Sequence, residues 1–174
     1  FRGVAPLYRI SNIIEARNRS NKYSNIQINM IYPQYELSYL ENIRKSLKEV
    51  DRDIGRIDKE LMYKLFSKML IGISIPLSDS SPRSVYEAIF CGGIVAISYN
   101  EYYELLPKSM KNRIIIVEPS DKDWLNKAID LALEKKKEVF IPCEEALLSF
   151  DQAKTFAYIH KLIQWFLLNQ GYNI

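Results

Sequence analysis

Cysteine and histidine are scarce in this chain of 174 residues, which carries only Cys91, Cys143 and His160. The two cysteines are far apart and form no CxxC pair. That argues against a disulfide framework and a structural zinc site, and makes a reducing, cytoplasmic setting the expectation. One histidine cannot build a multi-histidine metal centre, and it leaves a serine triad a single candidate base. Glycine is also sparse, at six residues, and none falls in a GxGxxG turn, a GxxxxGK loop or a GxSxG elbow. Dinucleotide, ATPase and α/β-hydrolase readings weaken accordingly. A receiver-type signalling domain needs acids clustered at strand ends, which the apolar run "NIQINMIY" lacks. No apolar run approaches the ~18 residues of a membrane span. The net charge of +3 is spread along the chain, too mild for a nucleic-acid-binding stripe. Opening on Phe1 without a basic-then-apolar leader, the sequence reads as a piece of something longer.

What is present is a globular balance, with 48% hydrophobic and 26% charged residues. That supports one domain with one sizeable core. Apolar runs suited to buried strands alternate with helical periods. "NIQINMIY" precedes "YELSYLENIRKSLKEV", where Leu37, Leu40, Ile43, Leu47 and Val50 share a helical face. "RDIGRI" precedes "DKELMYKLFSKM", with Asp58 as N-cap and Leu61, Leu65 and Met69 at helical spacing. "LIGISIPL", "GIVAIS" and "RIIIVEP" supply three more strands, and "DKDWLNKAIDLALEKKK" a helix with Trp124, Ile129, Leu131 and Leu133 among its apolar positions. Repeated strand–helix units of this length predict an open, Rossmann-like parallel sheet with helices on both faces. The tail from Ser149 reads as one long helix, with a crossover segment at about 151–170. Its Phe150, Phe156, Ile159, Ile163, Trp165 and Phe166 cover more of the circumference than one core face needs. Dense core packing is the expectation, and a strip that docks on another domain is the alternative.

One stretch carries chemistry. "SDSSPRSVYEAIFCGG" opens a helix with Ser81 as N-cap and Pro82 at the first helical position. The N–H groups of Arg83 and Ser84, at the positive end of the helix dipole, form a ready anion site. Glu87 lies four residues after Arg83 and shares that helix face. It is placed to pair with Arg83 or to accept two hydrogen bonds from a ribose diol, as acids do in dinucleotide folds.

That stretch resembles the retaining glycosyltransferases of the GT-B fold, group 1 type, in which two acids are separated by seven intervening residues. Asp79 and Glu87 fit the spacing, and "EAIFCGGIVAIS" is similar to the family's "EAMACGxPVIAS" segment. The likeness extends to "RISNIIEARNRS", "NIQINMIYP", "RDIGRIDKELMYKLFSKM" and "IIIVEPSDKDWLNKAIDLALE". It implies the C-terminal, donor-binding domain of such an enzyme, with an N-terminal acceptor domain outside this chain. By position it implies that Glu87 binds the donor ribose, and that Ser81, Arg83 and Ser84 meet the diphosphate. Ile57 would touch the base through its backbone, Asp79 would face the transferred sugar, and Arg2 and Arg9 would neutralise the leaving group. Glu104 matches an acid that follows the family's Gly-Gly turn. Three departures stand out. Asp79 replaces the usual Glu, Arg2 precedes Gly3 rather than following it, and "SYNEYYELL" replaces the Gly-Gly turn.

The resemblance thus implies sugar transfer from a nucleotide diphosphate sugar with retention, no cofactor and no metal, and an isolated domain without turnover. The alternative is a degenerate domain of this fold that serves as a binding module. Lys135, Lys136 and Lys137 leave room for peripheral membrane contact, though a helix end dressed with lysines is ordinarily just solvated. Nucleic acid is not an expected partner.

Overall fold

The computed structural model describes residues 3–79 and 82–170. Strands β1 (Asn29–Ile31), β2 (Arg52–Gly55), β3 (Gly72–Ser74), β4 (Val95–Ser98) and β5 (Ile114–Val117) alternate with helices. The helices are α1 (Ile10–Arg19), α2 (Leu37–Lys45), α3 (Lys59–Lys68), α4 (Arg83–Phe90), α5 (Lys108–Lys111), α6 (Trp124–Lys135), α7 (Glu144–Phe150) and α8 (Gln152–Asn169). Every pairing between these strands is parallel. The fold is therefore α/β, with parallel strands flanked by helices.

Burial of both faces explains why the central strands read as continuous apolar runs. Ile94 and Ala96 of the β4 segment join a core with Ile115, Val117 and the α6 residues Trp124, Leu125, Ala128, Ile129 and Ala132. Val95 and Ile97 point the other way, onto Phe66 of α3 and Val85, Ala88 and Ile89 of α4. A third cluster packs Met30 and Tyr32 against Ile14, Leu40 and Ile43. Gly93 lets the turn after α4 close against the helix. An added Cβ there would stand 2.7 Å from the Ala88 carbonyl oxygen and 2.4 Å from Met69 Cε.

Several expectations shift in detail. Asp58 caps α3 as predicted, its carboxylate accepting from the Leu61 N–H at 2.8 Å. Helix α2 stops at Lys45, so Leu47 and Val50 lie beyond it and Val50 is exposed. Leu131 and Leu133 are exposed too. Leu131 is two positions from Ile129 and so lies off its helical face. The tail is two helices rather than one. Asp151 has extended backbone, ends α7 and caps α8 by accepting from Lys154 N–H. No residue of α8 is buried, so core packing does not account for its aromatics. Lys135 and Lys136 are tied back to the carbonyls of Asn112 and Met69, at 2.9 and 3.2 Å. Among the described residues no helix is long and apolar enough to cross a membrane.

The ladder is interrupted. β2 pairs with β1, and β4 pairs with β3 on one side and β5 on the other, but β1 and β3 do not pair with each other. A buried ion pair holds the outer portion together. Arg17 of α1 donates to both Asp51 oxygens and to the Ile26 carbonyl. Asp51 also accepts from the N–H groups of Ile28 and Lys48. Burial alone would raise the Asp51 carboxyl, but these hydrogen bonds prevail and hold it below its ordinary value.

Candidate functional site

A cleft of about 390 Å³ opens where β1 and β2 end and α4 begins. Its volume lies within the roughly 300–1,000 Å³ range of small-molecule sites. The carboxyl ends of parallel strands are where open α/β folds place their ligands. One wall is the start of α4, contributing Arg83, Ser84 and Glu87. The segment after β2 contributes Arg56 and Ile57, and Met62 of α3 stands beside them. The far wall comes from Gly3, Tyr8 and the stretch Ile31–Gln34.

Helix α4 begins at Arg83, one residue later than the Ser-Pro pattern predicts. Pro82 is the N-cap, and its carbonyl accepts from Val85 and Tyr86 N–H at 2.9 and 3.4 Å. The first N–H groups of any α-helix have no intrahelical acceptor, so the tip facing the cleft carries partial positive charge. Ser84 adds a second feature. Its hydroxyl is buried and has no hydrogen-bond partner, although it belongs to a residue on the cleft wall. Native interiors rarely leave such a group unpaired.

Glu87 is half-enclosed, its side chain 20% exposed, and borders the cleft. Its ion pair is not with Arg83, as helical spacing suggested, but with Lys59 of α3 at 3.2 Å. Tyr63 donates to the same oxygen, Oε1, at 3.2 Å. The carboxylate beside it holds the Lys59 ammonium above its ordinary value. These two α3 residues orient the carboxylate while the packing of α3 on α4 fixes its position. Nothing in the local pattern of the sequence announced them, because they lie 28 and 24 positions away.

Tyr32, at the base of the cleft, is 5% exposed and donates to Asp53 at 2.6 Å. Burial first, and then the Asp53 carboxylate, push its phenol up to about 12, so it stays protonated through the physiological range. Arg44 closes the chain of contacts by donating to the other Asp53 oxygen at 2.7 Å. Gly3 borders the cleft where space is short. An added Cβ would stand 2.9 Å from Tyr8 Cε2 and 3.4 Å from the Gln34 carbonyl oxygen.

Of the residues that the sequence singled out, the cleft gathers Ile57, Arg83, Ser84 and Glu87. Arg2 and Ser81 lie outside the described residues. Arg9 is placed elsewhere, with its guanidinium donating to the carbonyls of Ile75 and Pro76 at 2.6 and 3.2 Å. It has left-handed backbone, φ 50°, at the junction of a 3-10 turn with α1. Asp79 is half-buried in the loop after β3, its carbonyl accepting from the Asn100 side chain. Asn100 also caps the 3-10 turn Glu101–Tyr103, accepting from Tyr102 N–H at 3.3 Å. That turn lies in the "SYNEYYELL" segment, where the sequence resemblance expects Gly-Gly. Glu104 ends it, exposed and held by Tyr99 and Lys111. Arg56, Lys59, Tyr63, Tyr8 and Tyr32 are the site residues that sequence reasoning missed. Among the described residues no three His, Cys, Asp or Glu side chains converge to hold a metal ion.

No family model matches the sequence, and no curated protein matches it. Solved structures do. AviGT4, a glycosyltransferase involved in avilamycin A biosynthesis, superposes with a TM-score of 0.63 at 14% identity. That match covers 99% of this chain and 51% of the other, so the present chain spans about half the length of that protein. The catalytic domain of cholesterol-α-glucosyltransferase from Helicobacter pylori superposes with a TM-score of 0.57 at 15% identity, over 92% of this chain and 98% of that one. At such identities the likeness is one of fold. The chain has a glycosyltransferase-like α/β fold.

Proposed function

We propose that this chain is the donor-binding half of a glycosyltransferase that moves a sugar from a nucleotide diphosphate sugar to an acceptor, with retention at the anomeric carbon. The observation that carries the reading is the convergence of Arg83, Ser84 and Glu87 of α4 with Arg56 and Ile57 on one cleft at the strand ends. In this reading the diphosphate lies on the α4 N-terminus, between the N–H groups of Arg83 and Ser84 and the Arg83 guanidinium. The unpartnered Ser84 hydroxyl gains an acceptor from a phosphate oxygen. Glu87 accepts from the ribose diol through Oε2, because Lys59 and Tyr63 already occupy Oε1. The backbone near Ile57 receives the base, with Arg56 stacked or paired at the rim.

The chemistry follows from charge. A departing nucleoside diphosphate gains negative charge in the transition state, and fixed arginines with a helix terminus stabilise it without a metal ion. Acceptor binding belongs to a further domain of the full-length protein, so the chain alone binds donor without turning it over. Asp79 and Arg9 stand away from the cleft wall, and their roles toward the transferred sugar and diphosphate rest on the sequence resemblance.

Isothermal titration with uridine and guanosine diphosphates tests the reading. Replacing Glu87 with Ala weakens binding at least tenfold, on the order of 1.4 kcal/mol. An unchanged affinity removes the ribose assignment. A non-catalytic binding module is the second reading, favoured by the engagement of Glu87 Oε1 with α3. It gains if neither nucleotide binds at millimolar concentration.

A further inference from the structure

The cleft wall sets its polar groups along one line. Arg83 and Ser84 stand at the α4 tip, and Glu87 follows one turn along the same helix. Glu87 meets Lys59, the first residue of α3, at 3.2 Å. Arg56 and Ile57 precede Lys59 in the chain and close the line at its far end. A nucleotide with its phosphates at Arg83 and its ribose at Glu87 therefore brings its base to Arg56 and Ile57.

The short connection that carries Arg56 is anchored at both ends. Gly55 turns the chain out of β2 with left-handed backbone, φ 70°, and its carbonyl accepts from Tyr32 N–H at 3.0 Å. Asp58 caps α3 by accepting from Leu61 N–H at 2.8 Å. Between these anchors Ile57 packs on the core that contains Phe66, Val85 and Ile89. Arg56, by contrast, is exposed and borders the cleft. Among the described residues no hydrogen bond or ion pair engages its guanidinium, whereas Lys59 is held by Glu87. A fixed backbone bearing an unengaged side chain suits a recognition residue.

The shape of the guanidinium decides which base it suits. Its N–H donors form a rigid fork, and it accepts nothing. Guanine presents two adjacent acceptors, O6 and N7, which two parallel N–H groups satisfy together. Adenine sets an amino donor beside N7, so the fork meets one acceptor and one donor. Uracil places its N3–H donor between two carbonyl oxygens and offers no adjacent pair of acceptors. A base edge that offers donors calls for a carboxylate instead. Glu87 is the single acid among the described residues of the cleft wall, and the ribose takes it. Gln34, whose amide suits adenine, stands on the far wall beside Gly3. We infer that Arg56 selects guanine, and that the donor taken by this cleft is a guanosine diphosphate sugar. The inference rests on the donor reading above and narrows it. Met62, half-buried on the same wall, gives the base an apolar surface to lie against.

Calorimetric titration of the protein with guanosine, inosine, uridine, adenosine and 7-deazaguanosine diphosphates tests it. Guanosine and inosine diphosphates share O6 and N7, and both bind roughly tenfold more tightly than the uridine and adenosine forms. The 7-deaza form lacks the N7 acceptor and loses most of that margin. Arg56→Lys keeps the charge and removes the fork, so it abolishes the preference for guanine while the affinity for uridine diphosphate stays nearly unchanged. The 7-deaza comparison uses the unaltered chain and decides the matter whether or not the variant folds. Uridine or adenosine diphosphate binding as tightly as guanosine diphosphate overturns the inference. A 7-deaza form that binds undiminished, or a guanine preference that survives Arg56→Lys, overturns it too. In each of those cases the donor reading stands. If none of the nucleotides binds, the donor reading itself fails and the choice of base falls with it.

Discussion

Residues differ in how far their roles could be anticipated. Asp58 was legible as a helix cap because capping is local: the residue and the N–H it satisfies lie three positions apart. The Arg17–Asp51 pair was not legible, since its partners are brought together only by tertiary packing, 34 positions apart. That pair supports a prediction. Replacing Arg17 with Met strands a buried carboxylate and costs about 3–5 kcal/mol at neutral pH, measured by denaturant unfolding. The Asp51 carboxyl is held below its ordinary value in the folded state. Its stabilisation is therefore complete above the unfolded value, near 4, and is lost as pH falls through the folded one. The gap between wild type and variant narrows on going from pH 7 to pH 3. A gap independent of pH would show that Asp51 contributes nothing through its charge.

Elements were read better for type than for extent. The runs around β4 and β5 identified themselves because burial on both faces leaves little polar pattern. Helix α4 was expected one residue early, as the Ser-Pro signal does not distinguish the cap from the first turn. Glu87 was identified through its place on α4, whereas Lys59 and Tyr63 belong to a different helix and share no period with it. The break of the tail at Asp151 was missed, since apolar spacing continues through it while the backbone does not. Helix α8 also gives the second test. Phe156 and Trp165 are 69% and 65% exposed. Changing either to Ser costs less than about 0.5 kcal/mol in the isolated chain. Phe150 instead packs on Tyr86 and Phe90, with ring centroids 4.7 and 5.8 Å apart, and Phe150→Ala costs on the order of 2 kcal/mol. Thermal unfolding of the three variants separates the cases. A large loss at Phe156 or Trp165 would place α8 against the core.

At the scale of the whole molecule, alternating strands and helices foretold a parallel α/β fold, and the fold brings four of the anticipated site residues to one cleft. The interruption of the sheet could not be read from the sequence, because each strand's apolar pattern is the same whether or not its neighbour is present. The central claim is that the α4 end of this cleft holds a nucleoside diphosphate. Amide chemical-shift mapping of the chain during titration with uridine or guanosine diphosphate tests it most directly. The account predicts the largest shifts at Arg83, Ser84 and Ile57, with saturation, and little change on α6 or α8. Shifts that saturate elsewhere, leaving the Arg83 and Ser84 amides unmoved, would contradict it.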